Sequence, residues 1–198
     1  MVVFGITGGS GSGKTFVSKM LEKLGVHIID TDVIAHEIVE PNSDCLNELV
    51  DYFGDSILND DKTLNRKKLA SIAFSDKQKT EALSNITHKY IKAEVVKDIN
   101  TTDAELVGID GAVIIGSNVE PLCEFIVSVI ADKQSRITRI KMRDNITDEQ
   151  AIQRINAQND DEFYKENSMY IIYNNGDIAQ LESDVVGLFN KIKGNSFE

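Results

Sequence analysis

The stretch that most constrains this chain is Gly8-Gly9-Ser10-Gly11-Ser12-Gly13-Lys14-Thr15, which fits G-x-x-x-x-G-K-[ST]. Its context fits as well. Val2 to Ile6 is a short, mostly apolar run of the kind buried on both faces of a parallel sheet, and from Lys14 to Leu24 the residues Phe16, Val17, Met20, Leu21 and Leu24 recur at helical spacing. Strand, glycine loop and helix in that order make a phosphate cradle. Glycines let successive backbone N–H groups turn inward, and the helix N-terminus adds partial positive charge. Lys14 reaches the β- and γ-phosphates, and the Thr15 hydroxyl can ligate Mg²⁺. The candidate ATP-binding residues are therefore Gly9, Ser10, Gly11, Ser12, Gly13, Lys14 and Thr15, with Lys14 also catalytic and Thr15 the metal ligand.

Gly25 ends the first helix, and Val26 to Asp30 reads as a second strand. Val33 to Val39 starts another helix, capped by Asp32 or Thr31 and terminated by Pro41. Asp30-Thr31-Asp32 then falls at the carboxyl edge of a parallel sheet, where open α/β sheets bind ligands. One of these two carboxylates could take a proton from an attacking hydroxyl or hold Mg²⁺ through water, and capping is the alternative role of Asp32. Residues 43–100 are rich in helical periodicity and read as an inserted helical subdomain. Apolar runs at Leu106 to Ile115, Phe125 to Ala131 and Met169 to Tyr173 are expected as strands three to five, and about Asp177 to Ile192 as the last helix.

The expected architecture is a single α/β domain over 1–198: a five-stranded parallel sheet, first strand central, helices on both faces, with the insertion at 43–100 and a lid at 139–168. In that lid Arg139 and Arg143 are four residues apart, so both guanidinium groups share one helix face and suit a phosphate clamp, or a surface salt-bridge pattern.

A chain of 198 residues is long enough for such a core and too short for two ordinary domains. With 21 basic and 32 acidic side chains its formal charge is −11, which argues against general affinity for nucleic acid or an anionic membrane. Anionic ligands must be held by local devices. Cys45 and Cys123 form no C-x-x-C pair, so neither a disulfide framework nor a zinc site is expected. No apolar run approaches the ~20 residues of a membrane span, and the N-terminus lacks the features of a secretory signal. A cytoplasmic monomer is the expectation.

Gly5-Ile6-Thr7-Gly8-Gly9-Ser10-Gly11-Ser12-Gly13-Lys14-Thr15 followed by Asp30-Thr31-Asp32-Val33-Ile34-Ala35-His36-Glu37 resembles the dephospho-coenzyme A kinase family. Leu64-Asn65-Arg66-Lys67-Lys68-Leu69, Ile86-Thr87-His88, Arg139 with Arg143-Asp144-Asn145-Ile146-Thr147, Gln158 and Ile172-Tyr173-Asn174-Asn175-Gly176 extend the similarity over nearly the whole chain. The resemblance implies transfer of the ATP γ-phosphate to the ribose 3′-hydroxyl of dephospho-coenzyme A. It makes Asp32 the candidate base, puts Arg139, Arg143 and Asn174 at ATP, and assigns Asp32, His36, Arg66 and His88 to the acceptor.

Three places depart from the family pattern: Gly116 stands where an acid is expected at the end of the third strand, Lys89 follows His88 in place of proline, and the pair Ser168-Met169 replaces Ala-Asp. These bear on acceptor positioning and turnover. Uridine kinase-like enzymes share the glycine loop, but Asp-Thr-Asp-Val-Ile-Ala stands where an aspartate followed by aromatic residues would be expected. A nucleotide-binding module with weakened turnover is the reading from outside the enzymes.

Overall fold

The computed structural model describes residues 1–195, which divide into two compact units, 1–29 with 102 onward, and 30–101. The first unit carries the sheet. Strands β1 (Val2–Thr7), β2 (His27–Asp30), β3 (Leu106–Asp110), β4 (Phe125–Ile130) and β5 (Tyr170–Tyr173) lie in the order β2-β3-β1-β4-β5, so the first strand is central. β1 pairs parallel with β3, Val2 opposite Leu106 and Ile6 opposite Asp110, and with β4, Phe4 opposite Phe125. Side chains alternate across a strand, so each strand feeds two cores. Phe4, Ile6, Val127, Val129 and Ile172 meet Val17 and Leu21 of helix α1 (Lys14–Lys23) and Leu181, Val185 and Leu188 of helix α9 (Ile178–Asn195). On the opposite face Ile114 and Ile126 pack over Gly5, and helix α8 (Asp161–Glu166) packs on β4. The sheet and its two helical layers are those expected.

Helices α6 (Lys133–Asp144) and α7 (Asp148–Asn156) pack through Ile137, Ile140, Ala151 and Ile155. Asp132 caps α6 by accepting from Ser135 N–H, and Thr147 with Gln150 forms a capping box on α7. The second unit is helical: α2 (Thr31–Glu37), α3 (Asp44–Phe53) and α4 (Arg66–Ala73) each pack on the long α5 (Lys77–Thr101).

Two expectations are corrected. The cap of α2 is Asp30, whose Oδ1 accepts from the N–H groups of Asp32 (2.8 Å) and Val33 (3.1 Å), not Asp32 or Thr31. All three residues are polar and short, and the one in extended backbone before the first turn does the capping. The third strand stops at Asp110 rather than Ile115, because Gly111 is followed by a turn in which Val113 faces solvent while Ile114 turns into the core.

Gly116 therefore sits in that turn and not at the strand end. Its φ is +78°, and its N–H donates to Glu120 Oε2 at 2.6 Å. Nothing crowds the position, so backbone conformation alone selects glycine. Gly116→Glu is expected to destabilise the protein by about 1–3 kcal/mol in chemical denaturation. An unchanged midpoint, or a gain in kcat/KM with the acceptor, would favour a missing acid over backbone strain.

Candidate active site

The glycine loop leaves β1 after Thr7 and enters α1 at Lys14, and the chain segments that follow β3, β4 and β5 supply its neighbours. Three consecutive loop carbonyls accept hydrogen bonds from outside. Ser10 O accepts from Arg136 Nε at 2.9 Å, and Gly11 O and Ser12 O from Arg139 Nη1 at 3.2 and 3.3 Å. Ser12 O also accepts from Asn174 Nδ2 at 2.8 Å, and Arg139 Nη2 fixes Asn174 in turn, reaching its carbonyl and its Oδ1, each at 3.0 Å.

A trans peptide points its carbonyl and the next N–H in opposite directions, and no peptide here is cis. Carbonyls drawn toward Arg136, Arg139 and Asn174 therefore turn the N–H groups of Gly11 and Gly13 to the other side of the loop, as an anion cradle requires. The Ser12 N–H closes the loop internally on Gly9 O at 3.0 Å. Gly13 has φ +95°, and a Cβ there would collide with Asn174 Nδ2, so residue 13 must be glycine on two counts.

Lys14 Nζ pairs with the Asp110 carboxylate, whose side chain is only 5% exposed. Among the described residues the buried Ser12 hydroxyl has no partner, a state costing about 1–3 kcal/mol unless something polar meets it. Burial pushes the Cys45 thiol up to about 11 and the Cys123 thiol to about 12.

Among the sequence-derived candidates, Arg139 and Asn174 converge on residues 9–15. Arg143 lies elsewhere: Nε and Nη2 bond Asp144 at 2.8 and 2.9 Å, and Arg154 joins the same carboxylate. These bonds hold the Asp144 carboxyl at about 2. In the helical unit Arg66, the first residue of α4, donates from Nη2 to His36 Nδ1 at 2.9 Å, since a guanidinium has no acceptor. Asp32 is the second residue of α2, and His88 lies within α5.

Three site residues were missed in the sequence. Asp110 closes an apolar strand as Asp30 does, a signal that was available. Arg136 is three residues before Arg139 on the same helix face, and Gln158 was visible only as part of a family pattern.

A loop of this build, with its lysine and helix N-terminus at the carboxyl ends of a parallel sheet, defines a P-loop phosphotransferase. The chain belongs to the dephospho-CoA kinase family. The family profile described as Dephospho-CoA kinase (CoaE) matches residues 2–180. Dephospho-CoA kinase of Lactobacillus johnsonii is 34% identical over 95% of this chain and 96% of its own, and that of Listeria monocytogenes EGD-e is 34% identical over 96% and 97%. The solved dephospho-CoA kinase from Campylobacter jejuni is 27% identical, with TM-score 0.70 over 98% of each chain. Shikimate kinase from Acinetobacter baumannii, at 17% identity and TM-score 0.54, shares the fold alone. The uridine kinase-like alternative is not favoured.

Proposed function

We propose that this chain transfers the γ-phosphate of ATP to the ribose 3′-hydroxyl of dephospho-coenzyme A, yielding ADP and coenzyme A. The observation that carries this reading is the phosphate loop, its carbonyls held outward by Arg136, Arg139 and Asn174, in a chain of this family. The turned amides and α1 N-terminus receive the β-phosphate, and Lys14 leaves Asp110 to follow the charge that develops on the transferring group. Arg139 and Asn174 are proposed to meet ATP while they support the loop, and Arg143 to do so on release from Asp144. Asp32 is proposed as the base for the acceptor hydroxyl, with His36, Arg66 and His88 holding the acceptor's anionic groups.

Mg²⁺ fits this donor set. It binds through one or two protein oxygens plus phosphates and water. Among the described residues no three His, Cys, Asp or Glu side chains could hold a metal by themselves, so a cation carried by ATP and held by the Thr15 hydroxyl suits the loop. When bound it neutralises phosphate charge.

The described residues contain no helix long and apolar enough to cross a membrane. With two cysteines that need no partner and a charge of −11, a cytoplasmic monomer free of nucleic acid remains the proposal. The test is ADP release with and without dephospho-coenzyme A, with phosphorus NMR of the product. A new 3′-phosphomonoester is expected, whereas ADP release indifferent to the acceptor would defeat the reading. In the same assay Arg66→Ala is expected to raise the acceptor KM about 10- to 100-fold, the worth of a charge-assisted hydrogen bond, and to spare the KM for ATP. An unchanged acceptor KM would make Arg66 merely the partner of His36.

A further inference from the structure

Ser10 is held by both of its backbone polar groups, and by side chains from two different places in the chain. Its carbonyl accepts from Arg136 Nε of α6 at 2.9 Å, and its N–H donates to Gln158 Oε1, just beyond α7, at 2.7 Å. The two side chains also meet: Arg136 Nη2 donates to the same Gln158 oxygen at 3.2 Å, while Asp161 Oδ1 lies 3.6 Å from Arg136 Nη1. Arg136 is 5% exposed, and a guanidinium is kept out of water only where its hydrogens find acceptors. A Cβ at residue 9 would collide with Arg136 Nη2, so the guanidinium occupies space that only glycine leaves.

Each bond fixes one rigid plane. The N–H of Ser10 belongs to the peptide joining residues 9 and 10, and its carbonyl to the peptide joining 10 and 11. Clamping both leaves residue 10 almost no freedom at the point where the loop starts its turn, in a segment whose glycines would otherwise let it rotate. The orientation of the Gly11 amide follows directly from the second plane. The closure of Ser12 N–H on Gly9 O depends on the first.

We propose that Arg136 and Gln158 are positioning residues, which act through Ser10 to hold the loop amides in the phosphate-binding orientation; this rests on the ATP-dependent reading above. Neither side chain need touch the nucleotide. Preorganised amides bind without the ordering cost that a mobile loop would incur, so loss of the clamp appears as weaker nucleotide binding.

The test compares wild type, Gln158→Leu and Gln158→Glu by calorimetric titration with Mg·ADP, by KM for ATP and for dephospho-coenzyme A, and by thermal melting. Leucine keeps the bulk and removes the acceptor, whereas glutamate keeps an oxygen for Ser10 N–H and pairs with Arg136. Gln158→Leu is expected to weaken ADP binding and raise the KM for ATP about tenfold, leaving the acceptor KM unchanged, and Gln158→Glu to restore most of both. Wild-type ADP affinity in Gln158→Leu, with only the melting temperature lowered, would reduce the pair to structural support and overturn the proposal. So would a Gln158→Glu variant as weak as the leucine. If wild-type protein neither binds ADP nor phosphorylates the acceptor, the proposed function falls and this inference with it.

Discussion

Lys14→Ala is expected to abolish measurable ADP release and to melt earlier than the wild type. The first effect follows from removing the ammonium proposed to track charge on the transferring phosphoryl group. Deleting one neutral donor to a developing charge costs about 10²–10³ in rate, and a full positive charge is worth at least that. The second follows from Asp110. Lys14 and Asp110 side chains are 14% and 5% exposed, so the mutation takes the ammonium from a buried carboxylate. Breaking such a pair costs about 3–5 kcal/mol, and the lower figure applies because Asp110 keeps a further interaction. The double variant Lys14→Ala with Asp110→Asn should recover much of the stability and none of the turnover. Full ADP production by Lys14→Ala would remove the lysine from the mechanism, and wild-type melting would show that the pair contributes nothing to the fold.

Asp32→Asn is expected to lower kcat by about 10²-fold or more, the usual scale for a positioned base, with a smaller effect on the KM for ATP. The fold gives this variant unusual clarity. Because Asp30 caps α2, the amide at residue 32 leaves the helix start intact. A carboxylate in the first turn contributes about 0.3–1 kcal/mol through the helix dipole, and Asp32 makes a further interaction, so thermal melting is measured beside turnover. A loss of turnover at near-constant melting temperature is therefore chemical. A change confined to the KM for ATP would instead make Asp32 a nucleotide-binding residue.

Much of the architecture was legible because periodicity speaks for both faces of a buried element. Val2 to Ile6 and Phe125 to Ile130 are mostly apolar and are strands, and the glycine loop with its helix follows from local chemistry. Ladder ends were less legible. Val113, Ile114 and Ile115 continue an apolar run, yet apolarity reports burial and not strand pairing, and Ile114 is buried from within a turn. The arginines show the same limit. Spacing puts Arg139 and Arg143 on one face, but the chain offers Arg143 a carboxylate at the very next residue, and Asp144 takes it. Which of the three arginines of α6 reach the loop is decided by how that helix docks, so Arg136 could be seen as a helix residue and not as a partner of Ser10.

The central place of β1 also sets a timetable for synthesis. It is synthesised before both of the strands it pairs with, so Val2 must wait for Leu106 and Phe4 for Phe125. At roughly 5–20 residues per second, that is on the order of 5–25 s in which an apolar segment has no sheet to join. The intervening residues 30–101 pack mainly among themselves during that interval, and the sheet assembles only in the second half of translation. A nascent chain halted before residue 106 thus carries an orphan strand, the point at which holding chaperones or a slowed ribosome would matter most for the yield of active enzyme.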